Sequence, residues 1–249
     1  MARQSYDCKE IGSVEAGDLH MNDTAPPRQL RSRPNRVTPF GRLEASVSRG
    51  AFLGNRGDLH AADGAIRKSY AVKFWICCTL EETNGQRVTF DKRGHYTPLF
   101  FWDEAVAMAA GHRPCGQCRK PAFHAFKHAF NRAKGLPDGH FVSVKEIDAE
   151  LHAGRLDENK RQRRYRASAI ALPSGTFVTF DSAPETAVLI WHGLAYSWSH
   201  AGYAEPVVID SLAQVHVLTP RILVEVLRAG YVPSVRLPSM QQENPSSRW

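Results

Sequence analysis

Cys115-Gly116-Gln117-Cys118 stands where an alanine-rich helix stops and a basic helix begins. Two thiols at that spacing, in a turn entering a helix, reach one tetrahedral ion, and the helix start stabilises their negative charge. The chain holds five cysteines. Cys8 lies in a segment without apolar period. Cys77 and Cys78 are adjacent on a predicted strand, and 36 residues separate Cys78 from Cys115. Neighbouring strand residues point to opposite faces, so one of this pair is expected to join the C-x-x-C, and Cys78 is the choice. The expected centre is structural zinc held by Cys78, Cys115 and Cys118. His112 is the nearest fourth ligand in sequence, with His60 and His95 as rivals. A redox dithiol and buried inert thiols are the competing readings. The redox reading lacks the surrounding βαβ unit it needs. The first 30 residues hold no apolar core of a secretory leader, so a cytoplasmic protein without disulfides is expected.

The order of elements predicts an α+β chain. Residues 1–35 read as a flexible arm, with Met21 an alternative start. Residues 36–154 form a basic metal-binding module, 155–238 a smaller strand-rich module ending in a helix, and 239–249 a tail. A strand is expected over 70–80, with a hairpin partner at 86–90 after the Asn84-Gly85 turn. Asp103 caps a helix over 103–110 that Gly111 stops. A second helix runs over 118–134, with Phe123, Phe126 and Phe130 as its core stripe. Ser143 and Glu146 form a capping box for a helix reaching His152 and stopping at Gly154. Strands are expected over 166–172, 176–180, 187–191 and 206–209, the first two joined by a turn at Pro173, Ser174 and Gly175. Thr219 caps a last helix. No apolar run approaches the roughly 18 residues of a membrane span.

Charge is unevenly spread. The net charge is +7. Segments 28–49, 112–134 and 155–166 carry local charges of +5, +6 and +4, whereas 167–220 holds no Lys or Arg and carries −4. Such segregation favours a phosphate-backbone partner, DNA, over a randomly basic surface. Arg56, Arg113, Arg119 and Lys120 are the expected phosphate contacts, because arginine offers paired donors. The run Gly54-Asn55-Arg56-Gly57 is either an ordinary turn or a loop facing phosphate. His60 follows it, and His60, Asn55 and Arg56 are the catalytic candidates. Asp103 and Glu104 are read as helix-capping acids, and Arg155 as a cation suited to a helix end. Trp191, Trp198 and Tyr203, with His192, His200 and His216 nearby, are read as filling a small β-core rather than stacking on a base.

Pro114-Cys115-x-x-Cys118 matches half of the cytidine-deaminase signature, but no upstream H-x-E supplies its proton-shuttling glutamate. The stretch Ala107-Met108-Ala109-Ala110-Gly111-His112-Arg113-Pro114-Cys115-Gly116-Gln117-Cys118-Arg119 resembles the second half of the zinc-binding domain of the Ada DNA-repair family, over about 68–121. Glu82 stands where that pattern has a further cysteine. The resemblance therefore implies an Ada-like zinc fold on nucleic acid without the family's self-methylating chemistry. Together these readings predict a zinc-containing DNA-binding protein acting in repair or in base modification or removal. A non-catalytic nucleic-acid-binding regulator is the alternative, and an enzyme on a small anionic substrate a third reading.

Overall fold

The computed structural model describes residues 33–61, 65–82, 96–137, 139–210 and 212–238. Most of the arm, the tail, the hairpin expected at Asn84-Gly85 with its second strand, and His95 lie outside the described residues.

The described chain is mixed α+β, with four α-helices and two sheets. The Gly- and Arg-rich segment supplies β1 (Pro34–Val37), β2 (Leu43–Ala45) and β3 (Phe52–Asn55). They join β4 (Ile76–Thr79), β5 (Leu99–Phe101) and β6 (Arg113–Pro114) in a sheet of order β2-β1-β5-β3-β4-β6. Gly54 is required in β3, because a Cβ there would meet the Phe101 ring at 2.3 Å. The second sheet contains β7 (Tyr165–Ser168), β8 (Thr176–Phe180), β9 (Ala183–Trp191) and β10 (Leu194–Ser199). It is completed by β11 (Gly202–Tyr203), β12 (Val207–Val208) and β13 (Gln214–Val217). Its order is β11-β10-β9-β8-β13-β7, with β12 beside β10. β13 lies between β7 and β8, so the turn at Pro173 does not join two paired strands as expected.

Helix α1 (Glu104–Ala109) is wholly buried, which explains its small alanine side chains. It packs with Val37, Leu99 and Phe101 of the first sheet and Phe177, Leu189 and Trp191 of the second in one core. The basic run at 155–166 is thus no gap in packing, and residues 32–249 cluster as one unit. A second core joins α2 (Lys120–Ala133), α3 (Val144–Arg155) and α4 (Arg221–Arg228) through Phe126, Phe130, Ile147, Leu151, Leu223 and Leu227. Phe126 and Phe130 of the predicted stripe are buried there, and Phe123 is buried outside that cluster.

Local capping chemistry sets the helix ends. Asp103 Oδ1 accepts from the Val106 amide, and Gly111 leaves α1 at φ +84°. Both bonds of the Ser143/Glu146 capping box are formed. Two ends differ from expectation. Gly154 lies inside α3, which continues to Arg155. The Thr219 hydroxyl accepts from the Phe177 amide instead of capping α4, whose flanking residue is Pro220. Trp191 and Tyr203 are core residues and Trp198 packs against that core, as read from the sequence. No helix among the described residues is long and apolar enough to cross a membrane.

Candidate metal centre

β4 and β6 pair in parallel, placing Cys77 opposite Pro114. The Cys115 amide extends the ladder by donating to the Cys77 carbonyl, 2.9 Å away. This pairing brings the turn before α2 against the strand that carries Cys78. The ligand sulfurs of Cys78, Cys115 and Cys118 all lie within 4.8 Å of one another. A tetrahedral zinc with Zn–S bonds near 2.3 Å separates its sulfurs by roughly 3.8 Å. The three residues therefore form a cluster that could hold a metal ion.

The electrostatics suit a cation. The Gln117 amide donates to Cys115 Sγ at 3.4 Å. Hydrogen bonds from the Cys118 thiol, then from Cys78, pull the Cys115 thiol far below its ordinary pKa. Cys78 and Cys118 are pushed up, chiefly by their bonds to Cys115. Cys115 is thus the thiol that gives up its proton most readily, and a bound cation would have to displace the protons of Cys78 and Cys118 as well. Strand alternation separates the two neighbours as expected. Cys77 is buried on the other face, where Arg119 Nη1 reaches its sulfur at 3.5 Å.

His112 does not join the cluster, contrary to expectation. It is fully buried, and its Nε2 accepts from Arg56 Nε at 3.1 Å. Its Nδ1 lies 3.2 Å from the Ala107 carbonyl, so that nitrogen carries the proton and the free lone pair is taken by arginine. Burial, then the charges of Arg56 and Arg155, hold the ring neutral. His60 is also engaged elsewhere, with Nδ1 2.7 Å from Thr97 Oγ1.

Of the four expected phosphate contacts, only Lys120 is an exposed cation. Arg113 is buried in a two-bond pair with Asp148, each bond 2.8 Å, and donates also to the Pro114 carbonyl. Arg119 bonds Glu104 at 2.8 Å and lies over the Phe52 ring. Both were expected to contact phosphate; in the fold their donors are taken by Asp148, the Pro114 carbonyl and Glu104. Arg56 is 2% exposed, donating to His112 and, at 3.0 Å, to the Gly41 carbonyl.

Asn55 Oδ1 accepts from the Gly57 amide within its own turn. Of the catalytic candidates, His60 and Asn55 therefore have polar atoms already spent on Thr97 and Gly57, and Arg56 gives Nε to His112 and Nη1 to Gly41 while its Nη2 has no partner. Asp103 caps α1 as expected and also accepts from Tyr203 and the Arg236 amide. Glu104 does more than cap: it accepts from Arg119, Tyr231 and the Ser234 amide inside the fold. No sequence signal pointed to Asp148 or Tyr231, because each meets its partner through long-range packing.

No protein-family model, no curated protein and no solved structure matches the chain.

Proposed function

We propose that this chain is a zinc-containing DNA-binding protein of Ada-like architecture, serving DNA repair or base modification, with the metal in a structural role. The observation that carries the reading is the gathering of Cys78, Cys115 and Cys118. They come from the strand and the helix-entering turn on which the Ada resemblance rests. Zinc would be held by these three residues, and it would fix β4, β6 and the start of α2 together. Support for a nucleic-acid partner comes from the charge. Lys160, Arg161 and Arg164 from the third basic segment line one concavity beside β2 and α3, where Arg42 of the first is already paired with Glu185 at 2.7 Å. A rigid anion lying across that concavity would meet several cations at once.

A second reading, a non-catalytic regulator, draws on Asn55, Arg56 and His60. Asn55 is bonded within its own turn, and Arg56 and His60 are bonded to His112, Gly41 and Thr97 inside the fold, which suits binding without turnover.

Metal analysis of the purified chain beside Cys115→Ser tests the centre. One zinc per chain, lost in the variant, is expected, and a metal-free wild type overturns it. Fluorescence anisotropy with labelled duplex DNA, repeated across salt concentrations, tests the partner. Affinity should fall with salt, with a log–log slope of about −0.9 per phosphate neutralised. Salt-independent or absent duplex binding removes DNA from the reading.

A further inference from the structure

Two arginines are buried without a counter-charge. Arg56 and Arg155 are each 2% exposed. Their guanidinium carbons lie 4.2 and 4.3 Å from the centre of the same Trp75 ring. Among the described residues neither has a carboxylate partner. Asp148, the acid nearest in effect to Arg155, gives both oxygens to Arg113. Arg155 uses Nη1 on the Lys73 carbonyl, while its Nε and Nη2, and the Nη2 of Arg56, have no hydrogen-bond partner. Arginine cannot shed its proton in a protein, so burial leaves two adjacent positive charges with unmet donors. That arrangement is unfavourable by several kcal/mol unless an anion completes it.

The same residues face a cavity of about 540 Å³, shared with Phe40, Ala109, Ala110 and Leu156. That size falls within the roughly 300–1,000 Å³ of small-molecule sites. At its mouth, Arg42 and Arg164 lie over the Phe40 ring at 5.1 and 5.2 Å; Arg42 is paired with Glu185, Asp157 also lines the cavity, and Arg161 and Arg164 are its exposed cations without that pairing. Gln162 also lines the cavity, and its buried Oε1 has no partner. A ligand that satisfies the set carries anionic oxygens for the arginines and a hydroxyl or amino donor for the glutamine.

We infer that this cavity binds a phosphate monoester, its phosphate seated on Arg56 and Arg155 above Trp75 and its hydroxyl-bearing part toward Gln162. A free nucleotide and the phosphorylated end of a strand share this chemistry. The inference deepens the nucleic-acid reading at one point of its basic face, and inorganic phosphate tests it without DNA.

The test is isothermal titration calorimetry at constant ionic strength. The titrants are inorganic phosphate, adenosine 5′-monophosphate, and a short single strand with and without a 5′-phosphate. One saturable site for phosphate is expected, with tighter binding of an ester. A preference for the monophosphate identifies a free nucleotide as the source, and a preference for the phosphorylated strand identifies a strand end. Arg155→Met should weaken binding about 10- to 100-fold, the loss of a charged hydrogen-bonding pair. If that variant does not fold, Arg161→Ala/Arg164→Ala at the exposed mouth should weaken binding about 3- to 10-fold with unchanged melting. Absence of saturable phosphate binding in the wild type overturns the inference, as does equal affinity in a folded Arg155 variant. Phosphate binding without duplex binding keeps the pocket and removes the polymer reading, and duplex binding without phosphate binding does the reverse.

Discussion

Asp148→Ala should unfold this protein far more easily than any exposed acid-to-alanine change. Arg113 Nε and Nη2 each donate to one Asp148 oxygen at 2.8 Å. The side chains retain 4% and 11% of their exposure, so water screens the pair weakly. Two unit charges about 4 Å apart attract by roughly 4 kcal/mol at an effective dielectric near 20. Removing the acid strands Arg113 in a site where it also donates to the Pro114 carbonyl and lies 5.0 Å above the Phe123 ring. Loss of one member of such a pair costs about 3–5 kcal/mol. At about 2–4 °C per kcal/mol for a unit of this size, melting should fall by roughly 10 °C. Circular dichroism melts with matched urea titrations measure it. Arg113→Met/Asp148→Leu, which removes both charges and keeps volume, should recover most of the loss. An Asp148→Ala variant that melts with the wild type would refute the reasoning and return Arg113 to the surface as a phosphate ligand.

Burial raises the Asp103 carboxyl to about 6, against the opposing bonds from Val106 and Tyr203. A raised folded-state value means that the neutral form fits the fold better. Asp103's contribution is therefore fully present below the unfolded value near 4 and is lost as pH rises through 6, by about 3 kcal/mol. Urea titrations at pH 4 to 7 should show that decline, and Asp103→Asn should flatten it while lowering stability at acid pH, because its amide would face the Arg236 N–H. Gly54→Ala places a methyl group 2.3 Å from a buried Phe101 ring carbon, and it should lower the unfolding free energy by about 1–3 kcal/mol, read as a lower urea midpoint at unchanged slope.

What the sequence disclosed was mostly local. The Asp103 cap, the Ser143/Glu146 box and the glycine stop at Gly111 each depend on residues within one turn, and each was readable. Strand alternation said that only one of Cys77 and Cys78 would join the C-x-x-C; which one depends on the face that β4 turns to the helix-entering turn, and no local signal carries that. The first three strands were not readable, because their segment shows no apolar period. Gly54 looked like part of a turn, although it lies in a strand to admit the Phe101 ring. The insertion of β13 between β7 and β8 was equally hidden, since its register is set by pairing across distant sequence. His112 and Arg113 mark the sharper limit. Their proximity to Cys115 suggested a ligand and a phosphate contact, but Arg56 and Asp148, which decide their roles, lie 56 and 35 residues away.

Four consecutive residues tie the sulfur cluster to the arginine-lined cavity. Cys115 joins the sulfur cluster, and Pro114 pairs with Cys77 on β4. Arg113 is clamped to α3 through Asp148, and α3 ends at Arg155 on the cavity floor. His112 accepts from Arg56, the other floor arginine, and its ring lies 5.3 Å from that of Trp75. Trp75 in turn immediately precedes β4, and its carbonyl accepts from the Arg113 amide. A metal holding Cys115 against Cys78 would therefore fix the strand pair from which both guanidinium groups are positioned. The small size of β6 makes that support necessary. Two residues of parallel pairing cannot hold a register by themselves, whereas a thiolate cluster at one end and a buried ion pair in the middle leave the segment no second position. The apparent redundancy of polar groups in this stretch thus has a physical purpose: it holds two like-charged arginines against one tryptophan ring, in a place they would otherwise leave.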